Sequence, residues 1–225
     1  MRESPNRLLV EGQDDLFSIV GLMRHYVNWP KGKVKNEDHP VLIRAVGGVE
    51  EILEPNYIPA LIKDPTIKTL GVMFDADNDP ISRYSSFKNL CIPYFQKMPK
   101  QLSAGGLIEQ NEEGKRIGLW IMPDNVSKGA IELFIKELVP NTGIPSWQHA
   151  ITSVIEARNK GATCRDCHVD KANLYSWLAW QDEPGQYPGH ALTKKILDPK
   201  APSAALFVKW FLELYSLQPS INLQG

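Results

Sequence analysis

Glu11 ends the apolar run Leu8-Leu9-Val10, and the triplet Asp75-Ala76-Asp77 ends a second run, Leu70-Gly71-Val72-Met73-Phe74. If both runs are parallel strands of an α/β sheet, their carboxyl ends meet along one edge, and acids carried there from two strands converge in one crevice. Like charges gathered in that way require a cation. Two carboxylates spaced i, i+2 where the chain leaves the sheet can both turn to one ion, because strand alternation no longer sends them to opposite faces. Hard oxygen ligands of this kind suit Mg²⁺ or Mn²⁺. Asp79 prolongs the series to Asp75, Asp77, Asp79, but an EF-hand calcium loop needs Gly where Pro80 stands and Glu where Ser86 stands, so that chemistry is excluded. The plain alternative for a single acid at a strand end is a solvated turn or a helix cap, and Asp79 before Pro80 fits that role.

The elements that must position these acids alternate between strand and helix patterns. Residues 7–11 read as a short buried strand, Gly12 as a turn, and Leu16, Ile19, Val20 and Met23 as the apolar stripe of a helix. A polar loop through Trp29, Lys31, Lys33 and Lys35 leads to a second strand over 41–46, stopped by Gly47-Gly48. A helix from about Val49 and a third strand over 69–74 follow. Pro80 suits the first position of the next helical stretch, over 80–98, which Pro93 interrupts. Residues 104–123 read as a hairpin turning at Asn111-Glu112-Glu113-Gly114, and 127–138 as a helix with Ile131, Phe134, Ile135 and Leu138 on one face. Strand followed by helix, four times over, predicts an α/β fold with a mostly parallel sheet and helices on both faces. Beyond Pro140 only helical patterns occur, at 146–158, 168–181, 188–197 and 203–217. The expected organisation is an α/β domain over residues 1–140 with a helical extension over 141–225 packed on it, and Trp210, Phe211 and Leu214 in its core.

Leu9-Val10-Glu11-Gly12-Gln13-Asp14-Asp15 followed by Val72-Met73-Phe74-Asp75-Ala76-Asp77 resembles the Toprim domain, the metal-binding α/β module shared by topoisomerases, bacterial primases and the overcoming-lysogenisation-defect (OLD) nucleases. The likeness covers roughly residues 6–140. Further pieces resemble the nuclease branch. Asp15, one helical turn past Glu11, matches a second acidic ligand of those nucleases. Glu132, in Gly129-Ala130-Ile131-Glu132-Leu133-Phe134, matches their acid at the start of the helix after the fourth strand. Lys171, in Asp170-Lys171-Ala172-Asn173-Leu174, resembles the lysine of their C-terminal helix. Small stand-alone bacterial Toprim proteins carry phrases like Met122-Pro123-Asp124-Asn125 and Trp177-Leu178-Ala179-Trp180-Gln181, a likeness that extends over nearly the whole chain.

What the resemblance implies is a cation site built from Glu11, Asp15, Asp75 and Asp77, completed by Asp124 or Glu132. Such a set can hold two ions about 4 Å apart, the spacing used for in-line attack at phosphorus. Glu11 and Lys171 would be the catalytic groups, with Lys171 offsetting charge on the pentacoordinate phosphate. Each carried-over residue also has a simpler reading: Glu132 as a first-turn acid favoured by the helix dipole, Lys171 as a solvated lysine, Asp124 as a turn or N-cap residue. Lys31, Lys33 and Lys35 are candidates for contact with a nucleic-acid backbone, with Trp29 beside them for stacking; the competing reading is a solvated connection.

Composition narrows little. The 25 basic and 26 acidic side chains leave a net charge of −1, so only a local patch decides nucleic-acid binding. Cys164-Arg165-Asp166-Cys167-His168 fits a haem-attachment pattern, but that chemistry needs export, and the pair lacks the second Cys pair of a structural zinc site; reduced thiols are expected. Met1–Pro5 carry no apolar signal region, and no run approaches the ~20 apolar residues of a membrane span. A cytoplasmic protein without a membrane partner is therefore expected. The function expected is a Mg²⁺- or Mn²⁺-dependent Toprim-type nuclease acting on DNA or RNA. The resemblance to anti-phage Toprim proteins adds a defence role and a separately encoded ATPase as partner. Two alternatives stand beside it: a non-catalytic or partner-activated Toprim binding module, and a haloacid-dehalogenase-like phosphatase, which also places Asp-x-Asp after a strand.

Overall fold

The computed structural model describes residues 3–220 apart from Lys31 and Lys33. Five strands form one sheet: β1 (Asn6–Val10), β2 (Leu42–Ala45), β3 (Thr69–Asp75), β4 (Leu107–Gln110) and β5 (Arg116–Met122), in spatial order β2-β1-β3-β5-β4. β1 pairs in parallel with β2 and β3, and β3 with β5, while the edge strand β4 runs antiparallel to β5 as its hairpin partner. The chain is α/β with a mostly parallel sheet, as its alternating pattern predicts.

Side chains alternate between two cores. Leu8, Val10, Met73, Trp120 and Met122 face one side of the sheet, and Leu9, Leu70, Val72, Phe74, Ile117, Leu119 and Ile121 the other. The second face is covered by α2 (Val49–Ile52), α3 (Tyr57–Lys63) and α4 (Pro80–Cys91). The first is covered by α1 (Gln13–Met23) and α5 (Ile131–Lys136), together with residues from the later helices α6 (Ile144–Asn159), α7 (Val169–Leu178), α8 (Pro188–Thr193) and α9 (Ala205–Leu214). Near-continuous burial along β3 and β5 is what a sheet covered on both faces demands.

The late helices reach the sheet itself. A Cβ on Gly71 of β3 would lie 2.1 Å from the Tyr215 hydroxyl, which donates a 2.8 Å hydrogen bond to the Arg7 carbonyl. Trp210 and Phe211 are almost fully buried beside it, and Trp29 packs its ring against Phe211. α8 crosses α1 so closely that a Cβ on Gly21 would fall 2.2 Å from the Gly189 carbonyl oxygen. This contact matters for the site, because α1 begins at the carboxyl edge of β1.

Candidate functional site

The strand order reverses between β1 and β3: the chain passes from β1 outward to β2, then returns to the other side of β1 for β3. In open α/β sheets the crevice at such a reversal, beyond the carboxyl ends of the strands, is where ligands bind. Glu11 immediately follows β1 and Asp75 ends β3, so both acids stand at that switch point.

Within the crevice the acids are tied to backbone rather than to cations. The Asp75 amide donates to Glu11 Oε1 at 2.7 Å, and Asp75 Oδ1 accepts from the first amide of α5, Ile131 N, at 3.0 Å. Asp15, three residues past the Gly12 N-cap, accepts from the Gly12 amide at 2.6 Å and is 8% exposed. Burial pushes the Asp15 carboxyl up to about 6, against the Gly12 hydrogen bond and with the repulsion of Glu11, Glu132 and Asp14 adding to it. Asp75, half-buried at the end of β3, is raised well above its ordinary value by desolvation and by the charges of Asp15, Glu11 and Glu132. Glu11 is raised as well, by desolvation first, with the Asp75 amide opposing. Four predicted residues, Glu11, Asp15, Asp75 and Glu132, are thus brought together.

The other predicted acids are engaged elsewhere. Asp77 has a left-handed backbone conformation (φ 50°) and exchanges backbone hydrogen bonds with Gly129, at 2.9 and 2.8 Å. Its carboxylate turns to Arg83, 2.6 Å away. Asp124 folds into a local turn, accepting from Val126 N (3.0 Å), Ser127 N (2.6 Å) and Ser127 Oγ (2.7 Å); against its partial burial these donors hold it below the usual carboxylate range. Among the described residues no three His, Cys, Asp or Glu side chains form a ready-made ion cage. Donor type and charge in the inner group fit a hard divalent cation nonetheless: three carboxyls with raised affinity for protons share one crevice, and a divalent ion offsets the same repulsion that protons relieve.

Lys171 reaches the rim of this crevice from α7. Its Nζ lies 3.0 Å from Asp14 Oδ2, and the Tyr175 hydroxyl donates to the same oxygen at 2.9 Å. Against burial, these two donors hold Asp14 below the usual carboxylate range. Lys171 also feels Glu132 and Asp15. The packing of α8 against α1 and of α7 against Asp14 therefore places a cation from the late helices beside acids carried by the sheet.

The lysine loop is placed differently. α1 runs from the carboxyl edge back across the sheet, so the loop after it lies at the amino edge, as the 3.1 Å hydrogen bond from Ser4 N to Asn36 O confirms. Lys35 is exposed there, about a strand length of 15 Å from the crevice. Lys31 and Lys33 lie outside the described residues. Trp29 is only 6% exposed, so its ring is not free for stacking: the packing against Phe211 uses it. An open cavity of about 1100 Å³, with Lys63, Lys68, Lys97 and Lys115 on its walls, also lies on the amino side, under the β4–β5 turn and far from the acids.

Three residues of the site were not anticipated: Asp14, Tyr175 and Arg83. A basic side chain in the first turn of α4, against the helix dipole, was the available signal for Arg83. Asp14 and Tyr175 gave none, because their meeting depends on long-range docking.

A sequence model of the family described as "Protein of unknown function (DUF3226)" matches residues 5–216. The chain belongs to this family. The matched span of this DUF3226 protein runs from just before β1 to just past α9, so it includes every candidate residue above. No curated protein and no solved structure matches the chain. Among the described residues, no helix is long and apolar enough to cross a membrane.

Proposed function

We propose that this chain is a Toprim-type phosphodiester hydrolase that requires Mg²⁺ or Mn²⁺ and acts on DNA or RNA. The observation that carries the reading is the group at the β1/β3 switch point, where Glu11, Asp15, Asp75 and Glu132 crowd their charges together, with Arg83 acting on Glu11 from one side and Lys171 standing on the rim. Glu11, Asp15 and Asp75 would hold the cation, joined by Asp77 once it leaves its ion pair with Arg83, with Glu132 adjacent. When bound, the ion supplies charge stabilisation at a phosphoryl oxygen and a lowered pKa for an attacking water. The chain's own residues do the rest. The Asp75 amide fixes Glu11, the α5 amide fixes Asp75, and Lys171, kept protonated by Asp14, is placed to balance negative charge building on the phosphate.

The test is a cleavage assay on plasmid, single-stranded DNA and RNA with Mg²⁺, Mn²⁺ or EDTA, comparing wild type with Glu11→Gln and Asp75→Asn. Metal-dependent cutting that both variants lose is the expected result. Tight metal-dependent binding without turnover would favour a non-catalytic or partner-activated module, and hydrolysis confined to small phosphomonoesters a dehalogenase-like phosphatase. The family resemblance adds an anti-phage setting and a separately encoded ATPase. Full cleavage by the purified chain alone would remove the ATPase from the proposal.

A further inference from the structure

Arg83 is the fourth residue of α4, in the turn where exposed amides and the helix dipole disfavour a cation. Two carboxylates offset that cost: Asp77 Oδ2 lies 2.6 Å from Nη2 and Glu50 Oε1, from α2, lies 3.6 Å from Nη1. Glu11 acts on the same guanidinium. The arrangement is asymmetric in mobility. Asp77 is pinned by its paired backbone hydrogen bonds to Gly129, so its Cα–Cβ bond leaves the chain in a fixed direction and its short side chain has little reach. Arg83 is 23% exposed at the end of a long stem, and its second partner, Glu50, is 88% exposed and weakly held. The side chain with the longer reach is the arginine.

We propose that Arg83 is the exchange residue of the crevice: its guanidinium holds Asp77 while no divalent cation is present, and passes to a non-bridging oxygen of a nucleic-acid phosphodiester when a cation takes Asp77. The inference rests on the metal-dependent reading above and deepens it. A planar guanidinium suits both partners, since carboxylate and phosphate present the same paired oxygens to its fork. Two consequences follow from the competition. Without nucleic acid, Arg83 opposes metal binding. With nucleic acid, metal and substrate each strengthen the other, because each removes what the other must displace, and the coupling is reciprocal.

The experiment is a calorimetric titration of Mn²⁺ into wild type, Arg83→Gln, Arg83→Lys and Glu11→Gln, followed by fluorescence anisotropy of a labelled oligothymidylate at zero and saturating Mn²⁺. Arg83→Gln is expected to bind Mn²⁺ roughly three- to tenfold more tightly than wild type, the range set by losing one partly exposed ion pair and its charge. It should bind the oligonucleotide about tenfold more weakly at saturating Mn²⁺, with the enhancement by Mn²⁺ lost. Arg83→Lys, which keeps the charge and the fold but not the fork, should match wild type for Mn²⁺ and fall short of it for the oligonucleotide. Unchanged or weaker Mn²⁺ binding by Arg83→Gln, with Glu11→Gln losing the ion, would overturn the exchange role alone and leave the metal site standing. Oligonucleotide binding by Arg83→Lys equal to wild type would also overturn it. Absence of Mn²⁺ binding by wild type would overturn both readings together.

Discussion

Asp15 and Asp75 lie among other acids and hold only backbone amides, whereas Asp14, Asp77 and Asp124 lie nearby in sequence but each faces a side chain that answers its charge or fills its oxygens. The difference separates acids already answered by a side chain, with Asp14 and Asp124 in local contacts and Asp77 on an arginine that a cation must displace, from acids that are not. Asp14 and Asp124 are held below the ordinary carboxylate range, so folding favours their ionised form; Asp15 and Asp75 are raised, so folding opposes it. A set of acids that folding opposes, at the switch point of the sheet, is a feature that a bound cation stabilises and a solvated turn does not explain.

The sharpest way to break this contrast is to substitute both groups and compare cleavage. Asp75→Asn and Glu11→Gln should lower metal-dependent cleavage by about a thousandfold, the scale of losing charge stabilisation of a reacting phosphoryl group. Asp124→Asn should stay within about threefold of wild type, because its oxygens serve a turn. Equal losses in the two groups would erase the distinction.

The next effect is on stability without metal. Asp15 titrates near 6 in the folded chain and at 3.8 when unperturbed, so the folded chain binds its proton more tightly than the unfolded one. Its contribution is therefore greatest below about pH 4, falls as pH rises to about 6, and stays low above that, a change of order 3 kcal/mol. Asp15→Asn, whose side-chain oxygen still accepts from Gly12, should flatten that part of the pH profile and raise the melting temperature at neutral pH when chelator is present. Thermal melts across the range check both.

Lys171→Ala should reduce cleavage about ten- to a hundredfold, as expected for one cation lost from a phosphoryl transition state. Asp14→Asn keeps a hydrogen-bond acceptor for Tyr175 and leaves Lys171 in place, so its loss should be only a few-fold. The smallest expected effect belongs to Asp124→Ala, about 1 kcal/mol of stability from a lost turn cap, read as a lower melting temperature.

Much of this was legible in the residues themselves. The apolar runs, the hairpin and the proline at the start of α4 report local geometry, and β1 to β5 follow them closely. The late helices also fall where their patterns predicted. Local pattern failed where tertiary contacts decide. The helix expected from 127 begins only at Ile131, because Gly129, at a positive φ of 126°, is used to bridge Asp77. The stretch over 80–98 stops at Cys91: Ile92 still has α-region backbone angles and donates to Lys88 O, but Pro93 has no amide to carry the next helical hydrogen bond. Trp29 beside three lysines reads as a surface aromatic until α9 supplies Phe211 to cover it. In the site, Glu11 and Asp75 were legible from strand ends, and Asp15 from the family resemblance, which placed it one helical turn past Glu11. The diversion of Asp77 to Arg83 and of Asp124 to Ser127 was not, since which donor a carboxylate meets depends on backbone turns at Asp77 and Asn125 that take positive φ.

The most direct measurement is the shift in melting temperature that Mg²⁺ or Mn²⁺ produces at neutral pH in wild type, Asp75→Asn and Asp124→Asn. A cation held by the inner acids predicts a clear upward shift in wild type, retained by Asp124→Asn, abolished in Asp75→Asn, and diminished below about pH 6 as protons compete at Asp15. No shift in wild type, or a shift that Asp75→Asn retains in full, would contradict the account.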